Sequence, residues 1–384
     1  MRVLFAGGGT GGHLMPGAAT AGALRRLLPG ARCLFLTTDR RAEKRCRGAI
    51  AGFETAQVPD APLHGARSKA LFPGRALWAT QRALGLMGEF RPHVVVGLGS
   101  YNCAVPILLA RWLGTPTAVL EANVVPGRTV RALAPVVDRV FVHWGQALAR
   151  MKPRCAVVSG LPLRARLFGV DRGKAARRLG LRPDRLTLLA MGGSQGSVAL
   201  NRALLGALRR IYRREVELQV IHLTGVNHLW EALQTGLNER ACYRPIGFLE
   251  RIEDAYAAAD FALSRAGSAV AELTALGLPS VLVPYPHAAD DHQTANARRL
   301  AEAGAAITIP ESELTGRRLA EALSKLATDR DLRRRMGESA RSQGRSRAAL
   351  TVAARLAELA GFERRIRRDV LREAHISEKN AEAA

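Results

Sequence analysis

Short apolar and β-branched runs alternate with longer helix-forming stretches along almost the whole chain, and this alternation leaves few folds open. The runs at 3–6, 33–37, 94–97, 117–121, 139–143 and 156–159 belong to the first half. Those at 186–190, 218–223, 242–246, 261–264, 280–284 and 306–309 belong to the second. Regular strand–helix alternation specifies parallel sheets covered by helices on both faces. Each series begins with a glycine-rich turn. The expected class is therefore α/β, with two Rossmann-like, doubly wound parallel-sheet domains facing a cleft. At 384 residues and 48% hydrophobic, the chain is long enough for two cores. Gly160, Pro162 and Gly169 punctuate the join. The expected boundaries are 1–160 and 161–345, then a helix at 346–362 crossing back to the first domain, and a charged tail at 363–384.

Three glycine-rich turns stand at strand C-terminal ends, the edge where open parallel sheets bind ligands. The first is Gly7-Gly8-Gly9-Thr10-Gly11-Gly12-His13. Glycines let the backbone approach a ligand closely, and the helix that follows offers unpaired N–H groups and partial positive charge. The turn also satisfies G-x-G-x-x-G, the dinucleotide fingerprint, but Asp39 comes late for a ribose partner and His13 would crowd a pyrophosphate. The second turn is Gly97-Leu98-Gly99-Ser100-Tyr101, and the third Gly192-Gly193-Ser194-Gln195-Gly196. Any one alone reads as a tight structural turn. Together they imply two phosphorylated ligands, one for each domain.

The second half adds a glycine turn at 264–268 that opens a helix, with Glu272 about one turn inside. A carboxylate there suits a ribose or sugar diol; helix-dipole pairing is the plainer explanation. Further on, Gln293 and Asn296 stand three apart on one helix face, a spacing that suits sugar hydroxyls or simple helix solvation.

Through these residues the chain resembles the MurG glycosyltransferases of peptidoglycan synthesis. The resemblance runs from Met1 to about Phe362. It rests on GGTGGH, on GGSQG followed by Asn201, on the SRAG…AE…GLPSVLVPYP…DHQTANA series, on 120–123 and on the turn at 160–164. It implies a GT-B fold with UDP-N-acetylglucosamine as donor. The acceptor would be the undecaprenyl-diphosphate-linked muramyl peptide. The implied donor residues are Arg164, Ser194, Gln195, Leu249, Ser268, Ala269, Glu272, Gln293 and Asn296, with Thr10, Gly11, Gly12 and Asn123 completing the set. The acceptor diphosphate falls to Gly8, Gly9, Gly97, Gly99, Ser100 and Tyr101. Two departures stand out. The run from Arg265 to Glu272 is one residue shorter than the usual pattern, which leaves the sugar contacts there open. Ser100 replaces a glycine usual in the second turn.

The implied reaction is a metal-free, inverting displacement in which the acceptor 4-hydroxyl attacks the anomeric carbon and UDP leaves. Negative charge grows on the β-phosphate, where Ser194, the N–H groups at 193–196 and Arg164 would meet it. His13 is the candidate base, since an imidazole titrates near neutral pH; positioning the acceptor is its alternative role. No cofactor or metal is expected. Asp329-Arg330-Asp331 matches a cation-binding DxD by letter but reads better as a helix cap.

Five scattered cysteines without a CxxC pair fit a reducing compartment. No signal peptide is expected before the first strand, because 3–6 already reads as core. The net charge of +24 favours an anionic partner, but no basic module with interleaved aromatics points to nucleic acid. The stretch 69–91 mixes cations with bulky apolar residues: Leu71, Phe72, Arg75, Trp78, Arg82, Leu86 and Met87. It is read as a patch that docks on the anionic cytoplasmic face of the cell membrane; an ordinary core-facing amphipathic helix is the alternative. Other cell-wall synthesis proteins are further expected partners. Competing classes are another GT-B sugar transferase and, more remotely, a nicotinamide oxidoreductase.

Overall fold

A computed structural model describes residues 1–8, 11–38, 47–59, 66–193, 195–213, 216–237 and 243–366. The chain forms two compact units. One comprises Met1–Arg164 with the segment from Ser346 onward, and the other is Ala165–Arg345.

The first unit holds a seven-stranded sheet of β1 (Arg2–Ala6), β2 (Arg32–Thr37), β3 (Glu54–Gln57), β4 (Val94–Gly97), β5 (Thr117–Glu121), β6 (Arg139–Val142) and β7 (Ala156–Val158). All pairs are parallel, in the order β3-β2-β1-β4-β5-β6-β7. The second holds six parallel strands: β8 (Thr187–Met191), β9 (Gln219–Leu223), β10 (Tyr243–Ile246), β11 (Phe261–Ser264), β12 (Ser280–Leu282) and β13 (Ala306–Thr308). Their order is β10-β9-β8-β11-β12-β13. Both sheets therefore reverse direction beside their first strand, as Rossmann sheets do, and a crevice opens at that point. The α/β doubly wound class expected from the alternation is what forms.

The strands are buried because helices cover both faces. In the first unit, Val3, Phe5, Phe35 and Val96 face one helical layer, while Leu4, Leu34, Val95 and Val119 face the other. Phe5 stacks on Phe35 with ring centroids 4.8 Å apart. The helix Ala348–Leu359 belongs to this unit: Val352, Ala353 and Leu356 join the core of β1 and the helix Gly11–Leu27. Glu358 fastens its end to Arg139 at 3.4 Å and pairs within the helix with Arg355 at 2.8 Å.

The strand β3 carries no apolar signal. Its sequence is ETAQ, it lies at the sheet edge, and its residues are largely exposed. Asp329 caps the helix Arg330–Gln343 by accepting from the Leu332 N–H at 2.8 Å, which accounts for the DxD letters. Among the described residues no helix is long and apolar enough to cross a membrane.

Because Leu356 is fully buried against the first helix, Leu356→Ala should cost about 2–5 kcal/mol of first-unit stability. Urea unfolding followed by near-UV signals reports it. An unchanged midpoint would mean that the returning helix is only loosely attached.

Candidate active site

In the first unit, the glycine turns after β1 and β4 meet at the point where the sheet order reverses. Gly7 has φ +94°, and a Cβ there would come within 2.9 Å of Ser100 Oγ and 2.8 Å of Cys103 Cβ. Gly99 has φ +95°, and its Cβ would lie 3.3 Å from the His13 ring. Only glycine at both positions allows the two loops to close on each other. Ser100 Oγ and Asn102 Nδ2 are buried without a hydrogen-bond partner among the described residues. Gly8 is buried in the same turn, and Tyr101 begins a short 3-10 turn before the helix Ala104–Trp112. Gly9 and Thr10 lie outside the described residues.

A cavity of about 50 Å³ opens at these strand ends. Gly12, His13, Gly99, Glu121, Asn123 and Gly127 line it. His13 lies in the first turn of Gly11–Leu27, a helix whose N-terminus disfavours a charged imidazole. Glu121, the last residue of β5, is 4% exposed. Its carboxylate accepts from Asn123 N at 2.8 Å, Asn123 Nδ2 at 3.0 Å and Gly127 N at 2.8 Å. Burial pushes the Glu121 carboxyl above its ordinary range, while these N–H donors pull the other way. Sequence reasoning did not single out Glu121. An acid ending a fully buried strand at the ligand edge was the available signal.

In the second unit the same geometry recurs. The glycine turn after β8 and the turn after β11 flank the reversal beside β8. Gly193 and Gly196 have φ +93° and +78°. Arg265, 9% exposed, donates to Ser197 Oγ at 2.7 Å and to the carbonyls of Val283 and Pro284 at 3.2 and 3.1 Å. It also pairs with Glu311. This guanidinium ties the two turns together, a role the sequence did not reveal. Gln195 is exposed on its turn, and Ser194 lies outside the described residues.

Ser268 and Ala269 are half-buried at the start of the helix Ala269–Leu276, and Glu272 one turn in accepts from Tyr256 Oη at 2.5 Å. Gln293 accepts from Tyr285 N at 3.0 Å, and its Nε2 lies beside Gly267. Leu249 is half-buried after β10. Asn296 lies on the same helix as Gln293. It is fully buried and donates to the Ala266 carbonyl at 2.9 Å, which holds that turn from within. Arg164, half-buried, closes the first unit.

The amphipathic stretch divides along one helix, Ala66–Phe90. Leu86 and Met87, at the end of this stretch, belong to the core with Phe90, because the helix turns that end onto β4 and its neighbours. Arg75, Trp78 and Arg82 are exposed, Trp78 to 62%, and so is Leu77. The Leu71 and Phe72 side chains lie outside the described residues. The helix Ala104–Trp112 packs beside this one and exposes Leu108 and Trp112, the latter to 77%; neither was anticipated.

Two Rossmann sheets, each with paired glycine turns at its reversal point, make up the GT-B fold. Glycosyltransferase family 28 N-terminal and C-terminal domains match residues 3–142 and 187–352. The chain is 35% identical over 367 residues to the UDP-N-acetylglucosamine--N-acetylmuramyl-(pentapeptide) pyrophosphoryl-undecaprenol N-acetylglucosamine transferase of Halothermothrix orenii, covering 92% of this chain and 97% of that protein. The protein of the same name from Sorangium cellulosum is 39% identical, covering 94% and 89%. The crystal structure of Acinetobacter baumannii MurG superposes with TM-score 0.72 at 28% identity, over 93% of this chain and 99% of that one. The chain belongs to this family, the MurG transferases of glycosyltransferase family 28.

Glu121→Ala would leave three N–H groups without their acceptor. It should cost about 1–3 kcal/mol and speed hydrogen exchange at the Asn123 and Gly127 amides. Exchange at the wild-type rate would show that the carboxylate does not hold this loop.

Proposed function

We propose that the protein transfers N-acetylglucosamine from UDP-N-acetylglucosamine to the 4-hydroxyl of undecaprenyl-diphosphate-linked N-acetylmuramyl peptide, with inversion. The observation that carries this reading is the pair of glycine-lined reversal points, one in each unit, within a chain of this family. The second unit takes the donor. The N–H groups at 193–196 and Ser194 receive the diphosphate, and Arg164 adds charge. Glu272 serves the ribose or sugar diol, with Gln293, Leu249, Ser268 and Ala269 around it. The first unit takes the acceptor diphosphate between the turns at 7–12 and 97–101. The close approach of Gly7 to Ser100 supports that placement.

The acceptor oxygen forms a bond to the anomeric carbon as the bond from that carbon to the β-phosphate oxygen breaks. The electron pair leaves with UDP, where backbone N–H groups stabilise it. The hydroxyl proton passes to neutral His13, and Glu121 holds Asn123 and the loop to Gly127 beside it. His13→Ala should lower turnover by about 10²–10⁴-fold with little change in donor affinity. The assay is transfer of labelled N-acetylglucosamine to a synthetic lipid-diphosphate muramyl-peptide analogue. No transfer by the wild-type protein, with transfer to some other acceptor, would replace the acceptor named here. The same assay in excess EDTA should retain full activity, since backbone dipoles carry the leaving charge; loss restored by Mg²⁺ would refute that.

The acceptor's lipid requires the enzyme to work at the cytoplasmic membrane surface. The exposed Trp78, Leu77 and Trp112 with Arg75 and Arg82 support docking there. Binding to vesicles should rise with anionic lipid and fall with salt. Trp78→Ser with Trp112→Ser should weaken it without lowering the melting temperature, because both side chains are already in water.

A further inference from the structure

Behind the third glycine turn lies a chain of buried polar groups that no ligand contact explains. Asn201 stands in the first turn of the helix Val198–Arg213 and is 4% exposed; His222 in β9 is fully buried, as is Tyr243 in β10. Asn201 Nδ2 donates to the Thr224 carbonyl at 2.9 Å. That orients Asn201 Oδ1 toward His222 Nε2, 3.0 Å away. His222 Nε2 must then carry the hydrogen, which leaves Nδ1 to accept from Tyr243 Oη at 2.7 Å. One tautomer satisfies every group: Tyr243 donates to His222, His222 to Asn201, and Asn201 to Thr224. Burial holds the imidazole neutral, with its pKa pushed down to about 3.

The far end of this chain reaches the glycine turn. A Cβ on Gly196 would lie 1.9 Å from the Thr224 carbonyl oxygen, and one on Gly225 would lie 2.3 Å from the Gln195 carbonyl oxygen. The turns at 195–196 and 224–225 thus press backbone on backbone, and any shift of Thr224 moves Gly196. Asn201 N also donates to the Ser197 carbonyl at 2.8 Å, so one residue grips the turn's own helix and its neighbour.

We infer that Asn201, oriented by His222 and Tyr243, is a positioning residue that sets the backbone N–H groups of the turn at Gly193 and Gln195 for the donor's diphosphate. This rests on the reading of that turn as the diphosphate cradle. A purely structural role would lower the stability of the unit without singling out one part of the ligand. A positioning role makes the diphosphate contribution to binding the quantity that falls.

The test compares uridine and UDP binding by calorimetry, at a temperature where circular dichroism shows each protein folded. In the wild type UDP should bind far more tightly than uridine. Asn201→Ala should lower UDP affinity about tenfold while uridine affinity stays within about twofold. Tyr243→Phe keeps the ring packing and removes only the terminal donor; it should shift the same ratio in the same direction, by about threefold. If Asn201→Ala does not fold, Tyr243→Phe decides alone. An unchanged UDP-to-uridine ratio in the folded variants overturns the inference. Equal binding of uridine and UDP by the wild type removes the cradle reading itself, a failure visible without any mutation.

Discussion

Everything at the candidate site depends on where each parallel sheet reverses its order. Neighbouring strands β1 and β4 send their following loops to opposite faces, and so do β8 and β11. Between such loops no connection covers the strand ends, so backbone groups there face outward. The price is crowding: two loops leave adjacent strands a few ångströms apart. A side chain at Gly7 would collide with the loop after β4, and at Gly99 positive φ and close neighbours disfavour one; in the second sheet Gly196 and Gly225 meet where the loops after β8 and β9 touch. Glycine here is a steric requirement of the topology as much as of the ligand.

Crowded loops must also be held in one conformation. In this protein buried polar side chains do so. Glu121 gathers three N–H groups below the first cavity, Arg265 joins Ser197 to two carbonyls, and Asn296 holds Ala266. None of these groups is widely exposed, so each would be costly if left unpaired. Their energetic significance is therefore asymmetric. Forming the bonds adds modest stability, whereas deleting one partner leaves a desolvated donor or acceptor at the place where ligand contacts must be accurate. A ligand-binding turn and its buried support form one mechanical unit.

That coupling explains what was legible in the sequence. Strands such as 94–97 and 117–121 announce themselves because burial on both faces demands continuous apolar residues. The glycine turns are legible because no other residue fits them. The edge strand Glu54–Gln57 is not, since one side of it meets water and its residues need not be apolar. Supporting polar residues are the hardest to read. Asn296 has the residue type and helical spacing of a sugar ligand, and its hold on the Ala266 carbonyl shows only in the folded chain. Glu121 ends a strand as many residues do; its three N–H partners come from a loop whose path the sequence does not declare. The helix Ala66–Phe90 misleads in another way, because one amphipathic pattern serves two environments along its length.

The net charge of +24 invites a polyanion as partner, but it is a sum over the whole chain and does not say where cations stand or what they do. Arg172 grips Asp260 through two bonds of 2.9 and 2.8 Å, and Asp260 in turn receives the Thr187 N–H at the start of β8. Arg178 and Arg251 both meet Asp254, which is 3% exposed. Arg265 is an internal brace. Each such pair is close to neutral, so these arginines serve the fold, and the excess of +24 falls on other cations. A total charge therefore says less about a membrane than a local juxtaposition does. On Ala66–Phe90 the cations Arg75 and Arg82 flank Trp78, and no core claims that indole. Water alone gives no reason to display an indole between guanidinium groups. A lipid headgroup layer does, since it takes the ring at the acyl boundary and the cations at the phosphates. The docking reading thus rests on three neighbouring side chains and would stand unchanged if the rest of the chain were neutral.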